Sequence, residues 1–304
     1  MVAPMKIAVL GAGAVGCYFG AMLAKSGAPV VLIGRAQHVD AINRDGLYLD
    51  SVNFQGPIAV PASTDPAAAE GATYVLLCVK TLDTVDAMKK AAPYVAANTV
   101  VVSMQNGVDN AERIRTALGM EAISAVVYVA CQMTGPGKLK HNGRGDLVLA
   151  QHPAARDLSA MFERAGVPCR VSANIDAELW TKMIVNCAYN AISALGRAQY
   201  YKLTGNPLTR DLMRHVIEEA AAVAQASGVT VDTPAVTEAT FRLGETMAQA
   251  MSSMAQDIQR GKRTEIDSLN GYVVRRATEL GLAAPANQTL HALIKLMEDR
   301  QPAG

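Results

Sequence analysis

The sequence lacks the features that mark several classes of protein. Lys and Arg number 28 against 27 Asp and Glu, so the formal net charge is only +1. No long basic run occurs, which argues against a nucleic-acid surface. The five histidines are isolated and show no metal-ligand spacing, so no metal is expected. The five cysteines are scattered and form no C-x-x-C pair, which favours a reduced, intracellular compartment.

One uncharged run, "IAVLGAGAVGCYFGAMLA" at residues 7–24, has the length of a membrane helix. Its four glycines and its weak basic flank, Lys6 alone, favour instead a strand, a tight turn and a helix. Hydrophobic residues make up 50% of the chain and charged residues 18%, as in a folded protein. We therefore expect a cytoplasmic protein that has no membrane partner. Its 304 residues are enough for two domains.

The first half alternates apolar strands with helical stretches, which predicts an α/β Rossmann-type domain with a mostly parallel sheet over residues 1–173. The strands include "KIAVL", "PVVLI", "TYVLLCV" and "NTVVVSM", and helices are expected near residues 81–91 and 109–118. After "AISAVVYVA", the segments "GKLKHNG" and "DLVLA" predict a hairpin around "NGRG". Strand patterning stops near Ala173, and residues 174–304 predict an all-α domain.

The glycines in Gly11-x-Gly13-x-x-Gly16 follow a predicted strand and open a predicted helix. That context is typical of the dinucleotide fingerprint, in which the glycines permit a tight turn, approach of the pyrophosphate and close helix–strand packing. The sequence therefore predicts cofactor binding along the whole turn. The turn comprises Gly11, Ala12, Gly13, Ala14, Val15 and Gly16.

The second predicted strand ends in Gly34 and Arg35, without the acidic residue that binds the ribose of NAD. A guanidinium there suits the 2′-phosphate of NADP(H), although a solvated surface arginine would give the same pattern. Lys80 and Asn106 follow two further strands, at the edge where open α/β sheets bind ligands. A lysine extending to solvent and a turn-forming Asn-Gly are the alternative explanations.

The second half reads as successive helices, with starts near Pro207 and Pro234. Two long helices are expected through "ETMAQAMSSMAQDIQR" and "TEIDSLNGYVVRRATEL". Thr264 is a suitable N-cap, with Asp267 three residues later, so Glu265 is expected in the first turn of a helix. The helix dipole favours an ionised carboxylate there, which leaves helix stabilisation as the simpler role for Glu265.

The stretch "LWTKMIVNCAYNAISAL" predicts an apolar helix that carries three polar residues four apart, Lys182, Asn186 and Asn190. Steps of four advance a helix by only about 40°, so the three side chains share one stripe. The stripe suits one wall of a binding cleft, or else a polar seam against a neighbouring helix.

Taken together, "GAGAVG", "LIGR", "VK", "QNG", the lysine helix and "SSMAQDIQRGKRTEID" resemble, in this order, the ketopantoate reductase (2-dehydropantoate 2-reductase) family. These enzymes of pantothenate synthesis use NADPH to reduce a 2-oxo acid. The resemblance implies a Rossmann domain, a helical substrate-binding domain and an NADPH/NADP+ cofactor. It spans nearly the whole chain.

The resemblance also implies roles for individual residues. Lys182 would be the general acid, which stabilises alkoxide charge and donates the proton. Glu265 would be the essential acid near cofactor and substrate. Substrate contacts would come from Asn106, Asn186, Asn190 and Ser253. Cofactor contacts outside the glycine turn would come from Arg35, Lys80, Asn106, Cys131 and Glu265.

Two positions depart from the family pattern, because Tyr200 stands where an asparagine is frequent and Asp83 where a glutamine is frequent. The Tyr200 departure leaves open a reductase of a different 2-oxo acid. A non-catalytic NADP(H)-binding regulatory protein is a further alternative, although it would need neither Lys182 nor Glu265. Apolar faces of the helical domain suit either a core or a homodimer interface.

Overall fold

The computed structural model describes residues 5–299, and the chain divides into two compact units between Ile175 and Asp176. The predicted fold class is confirmed: a mostly parallel sheet with helices comes first, and a helical part follows. Among residues 5–299, none of the helices combines the length and the apolar character needed to cross a bilayer.

The first unit contains a ten-stranded sheet and five α-helices within the described residues. The strands are β1 (Ile7–Leu10), β2 (Val30–Ile33), β3 (Leu47–Ser51), β4 (Phe54–Ile58), β5 (Ala62–Ser63), β6 (Tyr74–Leu77), β7 (Val100–Ser103), β8 (Ala122–Gly135), β9 (Lys138–Ala150) and β10 (Cys169–Ser172). The helices are α1 (Ala14–Lys25), α2 (Ala36–Asp45), α3 (Thr84–Ala91), α4 (Asn110–Leu118) and α5 (Ala155–Arg164). Short 3-10 helices span Pro66–Ala69, Thr81–Asp83 and Ala92–Tyr94.

The strand order is β4-β3-β9-β8-β7-β6-β1-β2-β5, with β10 beside β9. Strands β1, β2, β6 and β7 are parallel and almost wholly buried, as expected when both faces of a sheet are covered. Leu10 is in register with Ile33 and with Leu77, and Leu77 with Ser103. The carboxyl ends of these four strands therefore lie in one row.

The predicted hairpin around "NGRG" is wrong. These residues lie inside β9, and the chain reverses at Gly137, between β8 and β9. The pairing of β9 with β8 continues on both sides, from Asp146 opposite Tyr128 to His141 opposite Cys131. Because β9 stays paired with β8 through this segment, the positive-φ residues 143–145 form bulges in the strand and not a turn. The antiparallel pair β3–β4 is an addition to the predicted elements.

The second unit is built from helices. They are α6 (Ile175–Gly196), α7 (Tyr200–Gly205), α8 (Pro207–Ala226), α9 (Thr233–Thr246), α10 (Ser253–Gln259), α11 (Asn270–Glu279) and α12 (Pro285–Asp299), with a 3-10 helix at Ile266–Ser268. The predicted starts near Pro207 and Pro234 are confirmed. Asn206 and Asp232 cap these two helices, because their side chains accept hydrogen bonds from main-chain N–H groups of the first turn.

The two long helices predicted near the end of the chain are each interrupted. Helix α9 ends at Thr246, and α10 begins only after Ser252, whose hydroxyl accepts from Ala255 N. The second prediction placed a helix directly after Thr264, but only a 3-10 helix follows and α11 begins at Asn270. The Asn270 side chain donates to Cys187 O on α6 at 3.2 Å, which ties the start of α11 to another helix.

Candidate active site

The glycines of the turn after β1 have three different environments. Gly11 has φ of +115°, and a Cβ there would lie 2.6 Å from Val79 N. A Cβ on Gly16 would overlap Gly11 O, so only glycine allows α1 to pack this closely. A Cβ on Gly13 would meet no atom of the described residues within 4 Å. The backbone at Gly13 is thus open to a ligand, while its neighbours are closely packed.

The loops that follow β1, β2 and β6 are in contact. Ile33 O accepts hydrogen bonds from Gly11 N and Ala12 N, at 2.9 and 3.0 Å. A Cβ on Gly34 would lie 2.5 Å from the Ala12 Cβ, so this glycine also permits a close approach. Arg35 follows at once and is exposed at the start of α2. The structure therefore brings the guanidinium-bearing loop against the glycine turn.

A buried polar network joins the loops that carry Lys80 and Asn106. Gln105 Nε2 donates to Val79 O at 3.0 Å, and the Thr81 hydroxyl donates to Asn106 O at 2.8 Å. Gln105 is 5% exposed and Thr81 1% exposed. Neither supporting residue was predicted, although a glutamine directly after a buried strand indicates that its amide needs a partner.

Cys131 does not lie in the row of strand ends. It is on β8 opposite His141, and its thiol adds to the effect of burial in raising the pKa of Cys17 on α1. Burial raises the pKa of Cys131 itself to about 12, so the thiol is protonated at neutral pH. Cys131 can thus contact a ligand as a neutral group and not as a thiolate.

In the second unit, the polar stripe lies on α6, as the spacing predicts. Lys182 and Asn186 are half-buried, while Asn190 is 4% exposed. The stripe therefore becomes more buried toward the carboxyl end of the helix. A half-buried ammonium and amide on an otherwise apolar helix can donate hydrogen bonds to the oxygens of a small ligand.

Ser253 is brought to the Asn190 end of this stripe by the residue before it. The Ser252 hydroxyl donates to Asn190 O at 3.1 Å, and Ser252 N donates to Ser193 Oγ at 3.3 Å. Ser252 is fully buried, whereas Ser253 is exposed at the first position of α10. The structural function of Ser252 was not predicted, and the signal available in the sequence was a serine directly before the helical segment "SMAQD".

The surroundings of Glu265 correct two expectations. Thr264 and Asp267 form no capping box, and Glu265 lies before a 3-10 helix instead of inside the first turn of an α-helix. The Thr264 hydroxyl donates to Glu298 on α12, and the Asp267 carboxylate pairs with His291 and Lys295. These partners on α12 compete with helix capping and decide the local geometry.

Comparison with known proteins decides the family. The family model for ketopantoate reductase PanE/ApbA matches residues 7–154, and the model for its C-terminal part matches residues 174–298. This chain belongs to the ketopantoate reductase family. Family membership makes it an oxidoreductase with a Rossmann-like fold, and it confirms the resemblance drawn from the motifs.

Individual proteins of known sequence or structure align over nearly the whole chain. The 2-dehydropantoate 2-reductase of Pyrococcus abyssi is 34% identical over 296 residues, 96% of this chain and 97% of that protein. The crystal structure of a family member from Ralstonia eutropha is 49% identical with a TM-score of 0.94, covering 98% of this chain and 99% of its own. A D-mandelate dehydrogenase in complex with NADH and anilino(oxo)acetate is 26% identical with a TM-score of 0.92, covering 97% and 99%.

The environments of Gly16 and Gly13 predict that the same substitution has a large effect on stability at one position and a small effect at the other. Gly16→Ala should lower the free energy of unfolding by about 1–3 kcal/mol, because the added methyl group overlaps the main chain. Gly13→Ala should lower it by only about 0.5 kcal/mol, because the methyl group enters open space and only the preference for glycine over alanine at an N-cap is lost. Urea denaturation of both variants measures the difference, and equal losses would contradict the packing described here.

Proposed function

We propose that this protein reduces 2-dehydropantoate (ketopantoate) to pantoate with NADPH, a reaction of pantothenate and coenzyme A biosynthesis. The observation that carries the proposal is the end-to-end match to a 2-dehydropantoate 2-reductase at 34% identity. In this proposal residues 1–173 bind NADP(H) and residues 174–304 bind the substrate.

The residues after β1 and β2 fit a nicotinamide dinucleotide. The open main chain at Gly13 leaves room for a pyrophosphate, and among residues 5–299 no side chain caps the N-terminus of α1. Arg35 stands where an acidic residue would select NAD, which supports NADP(H). Lys80, Asn106 and Cys131 complete the proposed cofactor contacts. The cofactor, when bound, supplies the hydride that reaches the 2-oxo carbon.

In this proposal, proton transfer and most of the substrate contacts come from residues of the second unit. Lys182 would donate a hydrogen bond to the 2-oxo oxygen, stabilise the negative charge that develops there, and then transfer the proton. Asn186 and Asn190 would bind further substrate oxygens without a competing charge, as would Asn106 from the first unit. The Ser253 hydroxyl is proposed to bind the substrate carboxylate, and Glu265 to hold Lys182 protonated and oriented.

A second candidate is the reduction of a different, more apolar 2-oxo acid. The structure of the similar D-mandelate dehydrogenase contains NADH and anilino(oxo)acetate, in which an aromatic ring is joined to the oxo carbon through a nitrogen atom. Tyr200 supports this candidate, because an aromatic ring replaces the frequent asparagine and lies 4.1 Å from the Tyr189 ring, centroid to centroid. Tyr189 is 1% exposed, so only the half-buried Tyr200 ring could contact a ligand, and its aromatic face favours an apolar substituent over a hydroxyl.

Oxidation of NADPH should be fastest with ketopantoate among four 2-oxo acids at equal concentration. The comparison substrates are pyruvate, 2-oxoisovalerate and phenylglyoxylate, and absorbance at 340 nm follows the reaction. Highest activity with phenylglyoxylate would favour the second candidate. Tight NADPH binding without turnover of any of the four acids would instead favour a regulatory protein.

Lys182→Ala should lower kcat by on the order of a hundredfold or more, the usual loss for a general acid. The dissociation constant of NADPH, measured by fluorescence titration, should stay the same because Lys182 is assigned to the substrate. Lys202→Ala removes an exposed lysine of α7 and is the matched control. Unchanged turnover in Lys182→Ala would remove this residue from the mechanism.

Arg35→Ala should weaken NADPH binding about ten- to a hundredfold, because a charge-assisted hydrogen bond to the 2′-phosphate contributes about 1.5–3 kcal/mol. Binding of NADH, which has no such phosphate, should not change. Arg44→Ala, at an exposed arginine of the same helix, serves as control. Equal losses for the two nucleotides would mean that Arg35 does not select the phosphate.

A further inference from the structure

Three ionisable side chains of α12 lie on one face of that helix and hold the segment around Glu265. They are His291, Lys295 and Glu298, spaced four and three apart, so they project toward the same side. We call these three residues the α12 anchor. Each of them contacts Thr264 or Asp267, which lie one residue before and two residues after Glu265.

The contact before Glu265 is double. Thr264 N and the Thr264 hydroxyl both donate to Glu298 Oε1, each at 2.7 Å. The same hydroxyl oxygen accepts from Ile266 N at 3.2 Å, so it bridges across residue 265. Thr264 is 1% exposed and the Glu298 side chain 9% exposed. Breaking this contact would leave the buried N–H and hydroxyl groups of Thr264 without their acceptor.

The contact after Glu265 is ionic and closes the network. Asp267 Oδ1 lies 2.7 Å from His291 Nε2, and Asp267 Oδ2 lies 3.0 Å from Lys295 Nζ. Lys295 also lies 3.1 Å from Glu298 Oε2, so one ammonium joins the two carboxylates. The His291 ring is itself held close to the main chain, since a Cβ on Gly271 would lie 2.9 Å from Nε2.

Charge favours this arrangement. Burial raises the pKa of Asp267, but the hydrogen bonds from His291 and Lys295 outweigh it and hold the pKa below its ordinary value. For Glu298, burial is likewise outweighed by hydrogen bonds from Thr264 and Lys295, and its pKa is also lowered. Both carboxylates are therefore ionised at neutral pH, and the network is complete there.

We infer that the α12 anchor positions Glu265 for the reaction, so that His291, Lys295 and Glu298 are positioning residues. Glu265 is half-buried and lies outside the α-helices, with φ of −99° and ψ of 21°. The main chain that carries it is instead held from α12 at Thr264 on one side and at Asp267 on the other. Catalytic groups lose much of their effect when displaced by about 1 Å. This inference rests on the proposed catalytic function of Glu265.

The test is a double-mutant cycle between Glu298 and Glu265. Glu298→Ala should lower kcat by on the order of ten- to a hundredfold and leave the NADPH dissociation constant unchanged. Glu298→Gln should recover much of the loss, because its amide oxygen can still accept from Thr264. In the Glu265→Ala background, Glu298→Ala should have no further effect on kcat, since it acts through the missing carboxylate.

Glu279→Ala is the matched control, since Glu279 is an exposed partner of Arg276 in the same unit. Thermal unfolding of each variant establishes that it is folded. If Glu298→Ala does not fold, Asp267→Asn replaces it at the other contact, with the same expectations. Full kcat in the folded variant, or an equal loss in both backgrounds, would overturn the inference.

The outcomes also separate this inference from the proposed function. A wild-type protein that reduces no 2-oxo acid, or a Glu265→Ala variant with full turnover, overturns the function proposed for Glu265 and the positioning with it. Loss of turnover in Glu265→Ala together with full turnover in Glu298→Ala overturns the positioning alone.

Discussion

The need to pair buried polar groups determines where the candidate residues of both units lie. In the first unit the Gln105 amide, buried at the end of β7, reaches Val79 O and so fixes the loop that carries Lys80. In the second unit the buried hydroxyl of Thr264 finds its acceptor in Glu298. An unpaired polar group in such a place costs about 1–3 kcal/mol, comparable with a large part of the stability of a domain. Loops held in this way present their neighbouring side chains in one defined position.

Local signals explain what could be predicted from the sequence. The apolar runs that became β1, β2, β6 and β7 are continuous because the sheet is covered on both faces, and the three glycines that mark the turn after β1 lie within six residues. The stripe on α6 depends only on the helical period. In each case the pattern lies within one short segment of the chain, so it was sufficient for the fold class, for the glycine turn and for the stripe on α6.

The wrong predictions have partners far along the chain. "NGRG" has the composition of a hairpin turn, but β8 lies opposite and continues the ladder on both sides, so these residues form bulges. Thr264 is of a residue type that commonly caps helices, but its hydroxyl donates a hydrogen bond to the carboxylate of Glu298, 34 residues later. Propensity decides a conformation only where no stronger tertiary contact competes. Both segments carry such a contact, and neither contact leaves a local signature in the sequence.

Tyr200 shows how the main chain and the side chain of one residue can make independent contacts. Its main-chain N donates to Ala250 O at 3.0 Å, three residues before Ser253. This pairing uses no side-chain atom, so asparagine or tyrosine at position 200 would give the same backbone course. The side chain decides only what the ring or amide contacts, here the ring of Tyr189. Burial also raises the pKa of the Tyr200 phenol to about 12, so the phenol stays neutral well above physiological pH. A different residue at this position would therefore lose the contact with the Tyr189 ring and keep the main-chain hydrogen bond to Ala250 that fixes the start of α7.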